Sequence, residues 1–388
     1  MPRPLPRELM EQILGDKCLR NSDFARCCRL SKDWLDFFRD RLYSSIDVEI
    51  LDGDTCSSDD SLMYQYSPWA LEVVSRLSDF PAVGRHVKTV RFERGWEQGC
   101  GVYTTPLSLF ASILHLCPAI DSLSFPADED KACIPYLAEL CVETGRRFSS
   151  IDMGRPSDAM WTLLDVVQAN LRHLKFSNIH DVGWAVHERP PVFLPALHLV
   201  SLSLTSWEAG EFMPYQQLTL DTLLRHSHSS LESIEVAFSP RITLDFSQFP
   251  TLRHLTLCLY STSPAPGVRK AIRSASSVTS LTLSGYLGPS VVEQLIGTDS
   301  KSGLAGSLSP RLVRLELPDA TALSPPILLF LEHLPTDHPL CRLKFRHQRN
   351  GPNEEVAARL GRQPLPPEED YTAVEEACRE RGIKLKLA

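Results

Sequence analysis

One pattern, apolar-x-x-apolar-x-apolar, recurs ten times along this chain of 388 residues and restricts its fold more than any other feature. The first copy is Val87/Val90/Phe92, and the last is Leu340/Leu343/Phe345. Successive copies begin 21 to 34 residues apart, with a mean of about 28. Because apolar and polar side chains alternate within each copy, the pattern predicts a short β-strand with one apolar face. The copies between the first and the last are Ile120/Leu123/Phe125, Phe148/Ile151/Met153, Leu171/Leu174/Phe176, Leu199/Leu202/Leu204, Leu231/Ile234/Val236, Leu252/Leu255/Leu257, Val278/Leu281/Leu283 and Leu312/Leu315/Leu317.

The segments between these strands have the apolar spacing of helices. Four of them are clear, at 104–117, 157–170, 216–230 and 324–335. A single strand–loop–helix unit cannot bury its own apolar face, so neighbouring units stack and share one core. The period lies within the range of leucine-rich repeats, and leucine is abundant, at 57 of 388 residues.

The sequence therefore predicts an α/β leucine-rich-repeat solenoid over residues 67–388, with about ten or eleven repeats. Parallel strands would line its concave side and helices its convex side, joined by right-handed connections. The final segment GIKLKLA is expected to add a closing strand. The segment 297–311 is rich in Gly and Ser and is predicted to be an exposed, inserted loop. An ordinary doubly wound α/β domain is the alternative.

Residues 1–50 do not carry the repeat and are predicted to form a small unit of three short helices. Trp34, Phe38 and Leu42 would form one apolar stripe at i,i+4 spacing. A unit of this size has a small core, so units like it commonly need a partner to cover their apolar side chains. The segment 44–50 would be the strand that joins this unit to the repeats, and the acidic, polar stretch 51–66 would be a linker.

The N-terminal residues resemble the F-box, a short helical module. Its pattern is a Leu-Pro start, a helix with spaced Leu and Ile, an Asp-apolar pair, then Val-Ser-x-x-Trp and a closing Leu-Trp. The pair Asp23 and Phe24 matches the Asp-apolar pair. Leu30 stands where the pattern has Val, and Leu42-Tyr43 stands where it has Leu-Trp. Both departures keep a bulky apolar side chain. The remaining matching positions are Leu5, Pro6, Leu9, Ile13, Leu14, Leu30, Trp34, Leu42 and Tyr43.

The resemblance implies that these nine residues dock onto the Skp-family adaptor of a cullin–RING ubiquitin ligase. The chain would then be the substrate receptor of that ligase, with the repeats holding a protein client. Two other interpretations stay open. The helices could cap the apolar edge of the first repeat, and the repeats could serve as a non-catalytic interaction scaffold with no role in ubiquitin transfer.

Composition argues against several other classes of function. The net charge is −8 and the basic residues are spread along the chain, so nucleic acid is not the expected partner. No apolar run reaches the roughly 20 residues of a bilayer span, so no membrane partner is expected. The eleven cysteines show neither CxxC pairs nor zinc-ligand spacing, which favours a reducing compartment, cytoplasm or nucleus. Cys117, Cys141 and Cys258 are predicted to be small buried apolar side chains.

No catalytic motif is present in the sequence. It lacks a P-loop, a GxGxxG turn, HExxH and GxSxG. Cys378 is interpreted as a structural residue of the last helix rather than a nucleophile. The chain is therefore expected to be neither an enzyme nor a cofactor-binding protein.

A client is expected on the concave face, where the polar residues flanking each central apolar strand position point. The middle of this face is mostly Ser and Thr, whereas its C-terminal end is basic and extends to Lys384 and Lys386. We expect the basic end to bind an acidic or phosphorylated segment; a solvated edge is the alternative. The candidate client-binding residues are His173, Lys175, Glu235, His254, Arg314, Glu316, Arg342, Lys344 and Arg346.

Overall fold

The computed structural model describes thirteen stretches of the chain. The chain divides into two compact units, residues 1–154 and 155–388. The described residues are 43–50, 68–94, 107–125, 130–153, 159–176, 196–204, 216–237, 243–259, 265–284, 294–297, 303–317, 324–345 and 372–387.

The first unit contains four strands that pair in parallel and in chain order. These strands are β1 (Ser45–Ile50), β2 (Thr89–Arg94), β3 (Ser122–Phe125) and β4 (Ser150–Met153). The helices described in this unit are α1 (Pro68–Asp79), α2 (Pro81–Gly84), α3 (Leu107–Leu116) and α4 (Asp130–Thr144). Strand β1 confirms the strand predicted at 44–50, while the boundaries proposed at residues 50 and 66 stay predictions.

The second unit contains eight strands, again parallel and in chain order. They are β5 (His173–Phe176), β6 (Ser201–Leu204), β7 (Ser233–Ala237), β8 (His254–Cys258), β9 (Ser280–Ser284), β10 (Arg314–Leu317), β11 (Arg342–Phe345) and β12 (Lys384–Leu387). The helices described here are α5 (Ala159–Val167), α6 (Gln216–Leu224), α7 (Ala265–Ser274), α8 (Ser324–His333) and α9 (Thr372–Glu380), with a 3₁₀ turn at Ala305–Ser307.

All ten predicted strands and the closing strand are present, and the four clear helices are confirmed as α3, α5, α6 and α8. The reason is visible in β6, where Leu202 and Leu204 are buried and Ser201 and Ser203 are half-buried. Since side chains alternate between the two faces of a strand, the leucines enter the core and the serines point away from it. Each unit therefore has the α/β arrangement of leucine-rich repeats, with parallel strands joined by helices.

The backbone joins successive repeats through one recurring hydrogen-bond arrangement, here called the carbonyl clamp. The carbonyl of Arg172, just before β5, accepts the N–H groups of Val200 and Ser201 at 2.7 and 3.1 Å. The Val200 carbonyl in turn accepts from Glu232 and Ser233 at 2.9 and 3.1 Å. Equivalent clamps precede β3, β4 and β8 to β11, so the start of each of these strands is aligned with its neighbour before the strand ladder begins.

Aromatic and aliphatic side chains fill the core between strands and helices. In the first unit, Phe92 of β2 packs against Phe110 of α3 with 5.5 Å between ring centroids. The buried residues of α3 also include Ile113 and Leu114, which lie one turn beyond Phe110 on the same face. Phe148, at the first apolar position of the β4 copy, has no solvent-accessible surface. The periodic apolar positions whose side chains the structure describes therefore form the core that the sequence predicts.

The prediction of an exposed loop at 297–311 is wrong for its second half. Leu304 is fully buried, and Ser307 and Ser309 are buried as well. The Ser307 hydroxyl donates to the Gly303 carbonyl at 3.0 Å, and the Ser309 hydroxyl donates to the Ser276 carbonyl at 2.8 Å. These hydrogen bonds satisfy the buried hydroxyl groups, so burying the two serines raises the free energy of the folded protein only slightly. Residues 298–302 lie outside the described residues.

One of the three cysteine predictions is also wrong. Cys117 and Cys141 are buried, as expected, but Cys258 is half-buried because it ends β8 on the face that points away from the core. Its sulfur accepts a hydrogen bond from the Ser284 hydroxyl at 3.2 Å. Position within a strand, rather than apolar neighbours in sequence, decides its environment.

His338 is held as a neutral ring beside this buried serine segment. The Leu340 N–H donates to Nδ1 at 3.2 Å, so Nε2 carries the hydrogen and donates to the Ser309 carbonyl at 3.1 Å. Burial lowers the pKa of His338 below its usual 6.5, against smaller opposing effects of the Ser309 carbonyl and of Asp337. Protonation of Nδ1 would place a second donor against the Leu340 N–H.

This geometry predicts a pH-dependent stability of the second unit. The pKa of His338 is lower in the folded protein than in the unfolded chain. The stabilising contribution of the neutral ring is therefore complete when the pH is above the unfolded pKa, and it is lost as the pH falls through the folded pKa. Urea unfolding at about pH 7.5 and about pH 5.5 should show a larger loss of stability in the wild type than in His338→Gln, which cannot titrate. Equal losses in the two proteins would contradict the assignment of a neutral ring.

Candidate partner-binding face

The strands of the second unit present two rows of side chains on the face that points away from the core. Neighbouring strands are about 4.8 Å apart, and the strand register aligns equivalent residues across them. The first outward row consists of His173, Ser201, Ser233, His254, Ser280, Arg314, Arg342 and Lys384. The second outward row consists of Lys175, Ser203, Glu235, Thr256, Thr282, Glu316, Lys344 and Lys386.

Hydrogen bonds within the sheet occupy the N-terminal part of both rows. The Ser203 hydroxyl donates to the Glu235 carboxylate at 2.7 Å. In the first row, the His173 Nδ1 atom lies 2.8 Å from the Ser201 hydroxyl oxygen. These side chains have partners inside the protein, so a bound molecule would compete with existing hydrogen bonds there.

Three adjacent cations occupy the C-terminal end of the first outward row. Arg314, Arg342 and Lys384 are all exposed, and the register places Arg342 beside both of the others. Within the part of the chain that the structure describes, none of the three forms a salt bridge. They are therefore available to an external anion.

On β10 and β11 the second outward row differs from the first, because it carries the Glu316 carboxylate. The Lys344 ammonium lies 2.9 Å from the Glu316 carboxylate, and both side chains are partly buried. This ion pair joins β10 to β11, while Lys386 follows on β12. The two rows thus present different charge patterns, with three uncompensated cations in the first and a paired cation in the second.

Residues of β9 to β12 line a shallow cavity of about 480 Å³ on this face. Its walls include the three cations of the first row together with Glu316, Lys344 and Lys386. A cavity of this size accepts a few amino-acid residues rather than a whole protein.

The predicted client-binding residues lie on these rows, apart from Arg346, which falls outside the described residues. Glu235, Glu316 and Lys344 are each bonded to a neighbour, a pairing that the strand pattern alone does not show. Lys384 completes the run of cations in the first row. The sequence places it at the basic C-terminal end of this face, outside the nine candidate client-binding residues. Its signal is the alternation in the closing strand. The client-binding role of the whole set stays a prediction.

Most residues predicted to bind the adaptor also lie outside the described residues, namely Leu5, Pro6, Leu9, Ile13, Leu14, Leu30, Trp34 and Leu42. Tyr43 is described. It is half-buried and comes two residues before β1. Its proposed contact with an adaptor stays a prediction.

Three buried cysteines among the described residues have raised thiol pKa values. Burial raises the pKa values of Cys117 and Cys141 to about 11, which the nearby Arg146 guanidinium opposes only in part. Burial also raises the pKa of Cys378 to about 11. These thiols are protonated at neutral pH and are therefore poor nucleophiles. No group of three His, Cys, Asp or Glu residues in the described stretches is arranged to hold a metal ion.

The described helices are also too short or too polar for a bilayer, and none of them could span one.

The chain has structural likenesses among solved proteins. No protein-family model and no curated protein sequence matches the chain. Among solved structures, the chain is similar to the leucine-rich repeat-containing protein LegL7 from Legionella pneumophila, with 13% sequence identity and a TM-score of 0.42. The alignment covers 87% of this chain and 98% of that chain. At this TM-score the likeness carries no functional argument, and the fold assignment rests on the strand register and the repeated burial pattern.

Proposed function

We propose that this chain is a non-catalytic protein-binding subunit whose outward rows hold a protein client. The observation that carries this proposal is the run of exposed, uncompensated cations beside an aligned set of hydroxyl groups on one face of the second unit. Such a face supplies charged and polar contacts over several strands. Repeat proteins commonly bind partners across surfaces built in this way.

We further propose that residues 5–43 dock onto the Skp-family adaptor of a cullin–RING ubiquitin ligase. Support for this part comes from the F-box-like sequence, in which Leu9 and Ile13 lie on one face of a predicted helix. The chain would then present its client for ubiquitin transfer by other subunits. An interaction scaffold without a ligase is the second candidate function, and the arrangement of the outward rows is equally compatible with it.

An adaptor-capture experiment separates these two functions. Wild-type protein should capture purified Skp-family adaptor, and the double substitution Leu9→Asp with Ile13→Asp should lower the affinity by at least about a hundredfold. Each of these side chains is worth about 1.5–3 kcal/mol when buried, and an aspartate in its place would bring a charge into an apolar contact. Surface plasmon resonance gives the two affinities directly.

The matched control makes the same chemical change at two exposed apolar residues. Leu71 on α1 and Val142 on α4 are 52% and 69% exposed, and Leu71→Asp with Val142→Asp should leave adaptor capture within about twofold. Circular dichroism would confirm that all variants keep the fold. No capture by the wild type, or equal losses in the two double variants, would reject the ligase function and favour the scaffold.

A further inference from the structure

We propose that the C-terminal part of the first outward row, formed by Arg314, Arg342 and Lys384, binds an acidic segment of the client. Aspartate and glutamate carboxylates of that segment would pair with the three cations one by one. This inference rests on the proposed role of the outward face in client binding, and it is independent of the ligase function.

Charge is the first argument for an acidic ligand. The whole chain has a net charge of −8, but the cavity over β9 to β12 is lined by five cations and one carboxylate, a local net charge of +4. Like charges that are one strand apart raise the free energy of the folded protein, and the surrounding salt screens only part of this repulsion. A polyanionic ligand would remove it, so the site is complementary to negative charge.

The geometry of the row is the second argument, and it favours several carboxylates over one phosphoryl group. Arg314 and Lys384 are separated by two strand spacings, about 10 Å, with Arg342 between them. An extended peptide rises about 3.3 Å per residue and points alternate side chains to the same side, so three carboxylates at alternate positions of five residues span about 13 Å, which flexible side chains can match to the row. A linear set of cations matches single charges spread along a peptide, whereas a phosphoryl group concentrates its charge at one point.

The two arginines add directional hydrogen bonds to this electrostatic match. A guanidinium group donates two parallel hydrogen bonds to one carboxylate, and such charge-assisted pairs are stronger than neutral ones. Lys384 has a compact charge that requires no fixed orientation. The row therefore offers two guanidinium groups that fix the orientation of a carboxylate and one ammonium group that binds a carboxylate in several orientations.

Glu316 determines which row the acidic segment would occupy. It lies in the second outward row, one strand from Lys344, and its carboxylate holds the Lys344 ammonium at 2.9 Å. An acidic segment on the second row would meet this carboxylate, and only the first row offers three uncompensated cations. Glu316→Gln should therefore tighten the binding of an acidic peptide, because the change removes a repulsive charge and releases Lys344.

Fluorescence anisotropy with the full chain tests the proposal directly. The probe is a fluorescein-labelled peptide in which glutamate alternates with serine, titrated at about 150 mM salt so that weak long-range attraction is screened. Wild-type protein should bind the probe, Arg342→Glu with Lys384→Glu should weaken binding by at least about tenfold, and Glu316→Gln should strengthen it by about threefold.

A matched control reverses two exposed cations on the helices, Lys270 on α7 and Arg379 on α9. Lys270→Glu with Arg379→Glu changes the net charge by the same amount and should leave the affinity within about twofold. Equal weakening in the two reversal variants would show a non-specific charge effect and would overturn the proposal. If the charge reversal unfolds the protein, the neutral pair Arg342→Gln with Lys384→Gln replaces it, and unchanged affinity in that pair would overturn the proposal as well.

Three further measurements identify the class of ligand and separate peptide binding from adaptor binding. A phosphoserine peptide that binds more than about tenfold tighter than the glutamate peptide would overturn the assignment to carboxylates, and so would tighter binding of duplex DNA. Adaptor capture by Arg342→Glu with Lys384→Glu should equal that of the wild type. Peptide binding without adaptor capture would reject the ligase function alone, whereas adaptor capture without peptide binding would reject this inference alone.

Discussion

Phe148→Ala should lower the free energy of unfolding of the first unit by about 3–5 kcal/mol. The Phe148 side chain has no solvent-accessible surface and occupies the first apolar position of the repeat that ends in β4. Truncation removes the buried ring and leaves a cavity, because interior side chains are packed closely and relax only in part. Urea unfolding followed by circular dichroism gives the shift in midpoint and the slope of the transition.

Val142→Ala is the matched control for this prediction. It lies close in sequence to Phe148 but is 69% exposed on α4, so its truncation should change stability by no more than about 0.5 kcal/mol. If Phe148→Ala and Val142→Ala unfold at the same urea concentration, Phe148 is not part of the core.

Gly84→Ala should destabilise the same unit by about 1–3 kcal/mol or more, through a steric clash. A β-carbon at position 84 would lie 2.1 Å from the carbonyl oxygen of Leu116 at the end of α3. The obstacle is backbone, which cannot rotate away like a flexible side chain. Helix α2 would therefore have to move away from α3, and the thermal midpoint should fall accordingly.

Gly145→Ala is the comparison for Gly84→Ala, because at position 145 an added β-carbon causes backbone strain without a steric clash. Gly145 has φ of +65°, and a β-carbon there would meet no atom within 4 Å. The left-handed conformation alone costs an L-residue about 1–2 kcal/mol. We expect the thermal midpoint of Gly84→Ala to lie below that of Gly145→Ala, and the reverse order would contradict the close approach of α2 and α3.

The strands could be predicted from the sequence because their signal is local. In β6, two leucines and two serines alternate, and this period of two is sufficient to indicate both the strand and the face that enters the core. The same alternation placed Arg314 and Arg342 on the outward face. The register places these two equivalent residues of consecutive copies directly beside each other.

The features that the sequence did not predict depend on contacts between residues distant in the chain. The Ser309 hydroxyl finds its acceptor at Ser276, 33 residues earlier, so a segment that resembles an exposed loop is buried. The Glu316–Lys344 ion pair likewise joins residues 28 positions apart. Local periodicity carries no information on such pairs, since they exist only after neighbouring repeats have stacked.

The carbonyl clamp explains how repeats of unequal length maintain aligned rows. Each clamp fixes the first residue of a strand to the preceding repeat, so extra residues between two strands are accommodated where they do not alter the alignment. Repeat lengths from 21 to 34 residues therefore coexist with one continuous alignment of β5 to β11. We therefore expect this protein to tolerate grafted peptides between strands only outside the buried helices and turns, whereas a single deletion at Val200 or Glu232 would turn every later side chain of that strand to the opposite face.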